Sequence, residues 1–139
     1  IYINKMELNI RKLKEEDYDI FSDWWVKWDW PVLPKEFLPN NGTGGYMVEK
    51  NGIPIVCGFV YETNSKWYLF EWIVSNPKYR DKDRKQAIEL LITSVQDIYS
   101  RKGVRALFAV GRNNKLIEIK KKLGWIVEPK PSYELTKMI

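Results

Sequence analysis

Histidine is absent from this 139-residue chain. Without imidazole, neither Ser-His-Asp nor Cys-His nucleophilic catalysis can run within the chain, and no His-based metal site or pH switch exists. A single cysteine, Cys57, excludes an intramolecular disulfide framework and a multi-cysteine metal centre. No metal is therefore expected. Nothing approaches the ~18 consecutive apolar residues of a membrane span. The longest apolar-rich run, Trp67 to Val74, is broken by Glu71. Ile1 to Lys5 is too short and polar for a signal sequence. These absences point to a soluble protein of a reducing compartment, with a cytoplasmic location as the expectation. Met6 reads as a natural start, with Ile1 to Lys5 extra to the fold.

What is present is ordinary for a globular protein: 45% apolar and 29% charged residues. The length suits one domain, residues 1–139, with a real core. Aromatics are high at 14%, and four of the seven tryptophans, Trp24, Trp25, Trp28 and Trp30, cluster together. Lys plus Arg is 23 against 18 for Asp plus Glu, a net charge of +5. The basic residues are spread along the chain and match no nucleic-acid motif, so nucleic acid is not the expected partner.

Periodicity gives the element order. Met6 to Leu13 reads as a strand, with Met6, Leu8 and Ile10 on one face. Lys14 to Asp17 opens a helix whose acids suit its positive end, and Tyr18 to Trp28 continues it until Pro31. A short helix is expected at Glu36 to Leu38, then a loop at Asn40 to Gly45. Tyr46 to Lys50 and Ile53 to Tyr61 flank Asn51-Gly52, a type I′ hairpin signal. Lys66 to Val74 is a third strand of this antiparallel group. Asp83 to Arg101 is the strongest helix, with Ile88, Leu91, Val95 and Ile98 as its stripe. Ala106 to Val110 reads as a strand, Asn113 to Leu123 as a helix, and Trp125 to Val127 and Tyr133 to Met138 as two last strands. The fold class is α/β: a mixed, mostly antiparallel sheet of six to seven strands with helices on both faces.

This order, with particular residues at particular places, resembles the Gcn5-related N-acetyltransferase (GNAT) superfamily. The resemblance runs from about Met6 to the C-terminus. Its main part is IVSNPKYRDKDRKQAIELL, Ile73 to Leu91, similar to the family's strand, Pro-containing turn, phosphate loop and helix. Its second part is NNKLIEIKKKLGW, Asn113 to Trp125, similar to the family's Asn, helix and Lys-Leu-Gly-aromatic ending. The implied activity is an N-acetyltransferase using acetyl-CoA and an amine acceptor. The implied phosphate site is the start of the long helix, where free N–H groups favour an anion.

The phosphate loop departs from the family. The two small residues expected after Arg80 are Asp83 and Lys85. Asp83 and Gln86 resemble a capping box, which would occupy the N–H groups that diphosphate needs. Arg80, Lys82, Arg84 and Lys85 could hold phosphate by side chain instead. Similar loops occur in short bacteriophage-encoded GNAT-like proteins. A catalytically inactive virion-associated or protein-binding module is therefore the alternative to the enzyme, and a homodimer or a host or virion protein is a further expected partner.

The resemblance also assigns residues. Ile73 and Val74 fall where the strand offers backbone groups to the cofactor, and both are otherwise core. Asn113 falls on a cofactor contact and is equally suited to cap a helix. Glu71 could accept a proton from the attacking amine, or be a paired or edge carboxylate. Lys120 stands where many members have the tyrosine that protonates the leaving thiolate, or lies on a solvated face with Lys121 and Lys122. Trp28 and Trp30 are core aromatics or one wall of the acceptor pocket. Cys57, with no basic neighbour in sequence, reads as inert core.

Overall fold

The computed structural model describes residues 7–80 and 82–139. The expectations for Ile1 to Lys5 and for Met6 lie outside the described residues.

Five strands form one sheet in sequence order: β1 (Leu8–Lys12), β2 (Gly45–Lys50), β3 (Ile53–Tyr61), β4 (Trp67–Ser75) and β5 (Ala106–Phe108). β1 to β4 pair antiparallel, and β5 pairs parallel to β4. The β2–β3 hairpin turns through Asn51 and Gly52, both at positive φ (52° and 79°), as a type I′ turn requires. Helix α1 (Asp17–Lys27) packs on one face, burying Phe21, Trp24 and Trp25 against Met47, Cys57, Phe59 and Val74. Helix α2 (Arg84–Arg101) packs on the other, burying Ala87, Leu91, Ile92 and Val95 against Val48, Val56, Val60 and Phe70. Ile119 of α3 (Asn114–Lys122) joins this second cluster. Two 3-10 turns, Lys35–Phe37 and Pro39–Gly42, stand where the short helix and the loop were expected.

The sheet has five strands rather than six to seven. Residues 125–139 carry no strand. Pro129 and Pro131 lack ladder N–H groups, and Trp125 is drawn to the helices: its indole N–H donates to Gln96 Oε1 at 2.8 Å.

Two irregularities shape the functional end. The β4–β5 pairing spans Trp67↔Ala106, Tyr68↔Leu107 and Leu69↔Phe108; beyond Leu69 the two parallel strands separate. Just there, β4 bulges. Phe59 pairs Glu71 and Cys57 pairs Val74, so Trp72 and Ile73 together oppose Gly58. Trp72 takes φ 59°, a left-handed conformation that costs about 1–2 kcal/mol for a residue with a Cβ. The bulge also reverses the face parity. Phe70 and Ile73 pack on the α2 side, Trp72 and Val74 on the α1 side. Glu71 and Ile73 therefore do not share a face, contrary to simple strand alternation. Gly58 is what the bulge demands: a Cβ there would lie 2.8 Å from Phe70 Cε1 and 3.1 Å from Ile73 Cγ1.

Candidate functional site

A groove of about 1260 Å³ opens where β4 and β5 separate. β4 contributes Glu71, Trp72, Ile73 and Val74; the start of α2 contributes Arg84 and Lys85; the connection after β5 contributes Val110, Arg112 and Asn113, and α3 contributes Lys120; the chain just past α1 contributes Trp28 and Trp30. Ligand sites of open α/β sheets lie beyond the carboxyl ends of parallel strands for the same reason: diverging strands leave backbone groups and space.

Glu71 spans the gap. Both carboxylate oxygens lie 3.2 Å from Val110 N and accept its hydrogen. Burial pushes the Glu71 carboxyl above its ordinary range, and the Val110 N–H and the charges of Arg112 and Lys120 only partly oppose that. The side chain is thus a paired, half-buried carboxylate.

Lys120 is buried, at 7% exposure, unlike the exposed Lys121 and Lys122. It does not sit on the solvated face that the lysine run suggests. Its ammonium lies 4.5 Å from the Trp125 ring centroid and 5.7 Å from that of Phe70. Burial lowers its pKa to about 8, with Glu71 opposing. A lysine tuned this way can donate a proton near neutral pH.

Asp83 is buried but does not cap α2. Its Oδ1 accepts from Tyr79 Oη at 2.7 Å and its Oδ2 from Lys50 Nζ at 2.9 Å. The Tyr79 hydroxyl and the Lys50 ammonium hold its carboxyl below the usual range. Its side chain bonds none of the first-turn N–H groups, so the capping-box reading of Asp83 and Gln86 is overturned. The N–H groups of Arg84, Lys85 and Gln86 keep the outward donors of any helix start. A carboxylate that seemed to block an anion site is instead turned away from it.

The basic cluster divides. Arg84 and Lys85 line the groove, whereas Arg80 and Lys82 are exposed outside its lining among the described residues. The Arg84 guanidinium donates through Nη2 to Ser75 Oγ (2.8 Å) and the Asn76 carbonyl (3.0 Å), and lies 5.5 Å from the Trp28 ring. Its Nε is buried and has no partner among the described residues.

Asn113 caps α3, accepting from Leu116 N at 3.0 Å, and also lines the groove. The tryptophans split by residue. Trp24 and Trp25 are core; Trp28 and Trp30 are exposed at the groove rim. The C-terminus of α1 explains the split. Trp30 N donates to Trp25 O and Asp29 N to Val26 O, with Asp29 at φ 62°, a Schellman ending that turns the chain outward. Trp28 is then fixed by its indole N–H on the Ser75 carbonyl at 2.7 Å. Cys57 is fully buried on the α1 side, and burial pushes its thiol up, which keeps it unreactive.

Sequence reasoning missed Arg112 and Trp72. Arg112 follows Gly111 just past β5, and its position beyond a parallel strand was the available signal. Trp72 reads as an ordinary strand residue, and no sequence feature marks its bulge. Among the described residues, no cluster of three or more Cys, Asp or Glu could hold a metal, and no helix is long and apolar enough to cross a membrane.

The architecture is a mixed α/β sheet opened between its two parallel strands. No family model matches the chain, and no curated protein matches it in sequence. Solved structures do match. The ribosomal-protein-S18-alanine N-acetyltransferase from Escherichia coli superposes with TM-score 0.68 at 20% identity, over 85% of this chain and 77% of that one. An aminoglycoside acetyltransferase from an uncultured soil metagenomic sample, in complex with trehalose, gives 0.64 at 14% identity, over 95% and 97%. AAC(6')-Iy, solved with the bisubstrate analog CoA-S-monomethyl-acetylneamine, gives 0.63 at 16%, over 95% and 99%. At these identities the likeness is one of fold.

Proposed function

We propose that the chain is an acetyl-CoA-dependent N-acetyltransferase acting on an amine by direct attack. The observation that carries the reading is the pairing, in one groove, of a carboxyl raised by burial (Glu71) with a lysine lowered by burial (Lys120). Environments that push two titratable groups toward neutrality from opposite sides suit an acid–base pair. Acetyl-CoA fits the residues present: Arg84 Nε is orphaned, the first turn of α2 has no side-chain cap, and Lys85 flanks it. Arg84, Lys85 and those N–H groups would hold its diphosphate, with Ile73, Val74 and Asn113 beside its arm and Arg80 and Lys82 adding positive charge nearby.

Acetyl-CoA supplies the activated acetyl group. Glu71 takes the proton of the attacking amine at a carboxylate oxygen. As the N–C bond forms and the C–S bond breaks, Lys120 Nζ gives its proton to the departing sulfur. Trp72 and Ile73 of the bulge line the groove, and backbone N–H groups there would stabilise developing negative charge. Trp28 and Trp30 form the rim over which the acceptor enters. This mechanism needs no covalent enzyme intermediate and no histidine. A bacteriophage origin and a site of action in the host cytoplasm or virion are part of the same reading and rest on the loop sequence.

Titration calorimetry with acetyl-CoA, followed by thiol release against an amine panel, tests this. The expected result is affinity on the order of micromolar, weakened by Lys85→Ala, and turnover with at least one amine. No binding at millimolar cofactor overturns the enzyme and favours the inactive binding module.

A further inference from the structure

The open end of the groove contains a carboxylate-binding group that the reaction above does not use. Arg112 leaves β5 toward α3, and its guanidinium lies 5.0 Å from the Trp72 ring centroid. Its Nε–H donates to Glu134 Oε2 at 2.9 Å and its Nη2–H to Glu134 Oε1 at 2.5 Å. That is the two-bond fork by which a guanidinium recognises a carboxylate, and the Trp72 ring lies against the guanidinium. Both side chains line the groove.

Glu134 is poorly anchored otherwise. Its neighbours Tyr133 and Leu135 are 94% and 91% exposed. Among the described residues, no other hydrogen bond holds residues 126–139. The Arg112 and Glu134 side chains are themselves 46% and 52% exposed, and an ion pair that exposed exchanges readily for another. Arg112 lies against Trp72, the residue next to Glu71, and Glu71 and Arg112 line the same groove. One small molecule could therefore place an amine at Glu71 and a carboxylate at Arg112.

We infer that Arg112 is the acceptor's carboxylate subsite, occupied in the free protein by Glu134 of the chain's own C-terminal segment, so that the acceptor is an amino-carboxylate of amino-acid size. The inference rests on the N-acetyltransferase reading for the word acceptor; the subsite itself does not. Binding the acceptor displaces Glu134, and the segment acts as a weak internal competitor.

The test measures binding of L-amino acids and of their carboxamides by calorimetry, with CoA present and absent, alongside acetyl transfer to the same compounds. The acids are expected to bind roughly tenfold or more tightly than the amides, because only they complete the charged fork. Glu134→Gln should tighten acid binding roughly threefold or more, and Arg112→Gln should erase the difference between acid and amide while CoA affinity stays as it was. Equal binding of acid and amide, binding of neither, a preference for purely cationic amines, or an unchanged acid affinity in Glu134→Gln each overturns the subsite. Transfer to amines without acid preference overturns the subsite and leaves the enzyme standing. Acid-selective binding without any transfer does the reverse.

Discussion

Glu71 reaches from β4 across to the Val110 amide, two residues past the end of β5, with both oxygens at 3.2 Å. The contact bridges the gap at the level where the β4–β5 ladder has stopped. It gives the carboxylate a fixed position and a partner that favours its charge, while burial disfavours it. A carboxylate shifted by burial and held by a specific partner in a groove is the kind of group found at functional sites.

Glu71→Gln keeps the shape and the bond to Val110 while removing the proton acceptor. The expected outcome is a kcat roughly 10²- to 10⁴-fold lower, with acetyl-CoA affinity within a factor of about two. Steady-state kinetics and calorimetry read the two quantities separately. Undiminished kcat would remove Glu71 from the chemistry.

Lys120 has two measurable consequences. Turnover should rise with pH through the raised Glu71 pKa and fall again above about 8 as Lys120 loses its proton, giving a bell. Stability moves differently. The folded-state pKa lies below that of the unfolded chain, so the unfolded chain binds more protons between about pH 8 and 10.4, and stability rises with pH across that window. Lys120→Met should therefore raise stability at pH 7, on the order of 1–3 kcal/mol, while removing the alkaline limb of the profile. A melting series across pH beside the pH–rate profile checks both.

Asp17 sets the acid limit. Burial would raise its carboxyl, but Arg11 binds it through two bonds at 2.8 and 3.0 Å and the Lys14 N–H adds a third, so its pKa is lowered. A lowered carboxylate stabilises the fold above the unfolded pKa, near 3.9, and that contribution is lost as pH falls through the folded value. Asp17→Asn should cost about 1–3 kcal/mol at pH 7 and leave the melting temperature less sensitive to acid below pH 4. Parallel acid titrations of both proteins by circular dichroism decide it.

Gly58→Ala should cost about 1–3 kcal/mol by forcing Phe70 and Ile73 apart opposite the bulge. Because Lys120 sits over Phe70, the alkaline limb of the pH–rate profile should shift in the same variant. Unchanged stability and profile would mean the bulge does not depend on this close approach.

Much of the architecture was legible because local rules acted alone. The Asn51-Gly52 hairpin, the α2 stripe and the Asn113 cap follow from turn chemistry, periodicity and capping. The bulge at Trp72 was not legible, because only tertiary packing makes a tryptophan accept a positive φ. Asp83 misled for a related reason: the capping pattern is local, but Lys50 reaches it from β2 and, with Tyr79 four residues upstream, takes its carboxylate. Lys120 was masked by its lysine neighbours, since a step of one residue rotates a helical side chain by about 100°, enough to carry it from a buried to a solvated face. The last two strands failed because Pro129 and Pro131 remove ladder donors from residues 125–139, which alternation alone does not register.

The short β4–β5 ladder has a further consequence for how the molecule breathes. With only Trp67, Tyr68 and Leu69 paired to β5, the chain after α2 is joined to the sheet by a narrow seam. Its opening costs less than global unfolding, so amides of β5 and α3 should exchange with solvent as a unit of their own, ahead of those in β2 and β3. Any molecule lodged between the diverging strands would slow that exchange by stitching the seam, and the cleft would report its own occupancy through the protection of residues that need not touch the ligand.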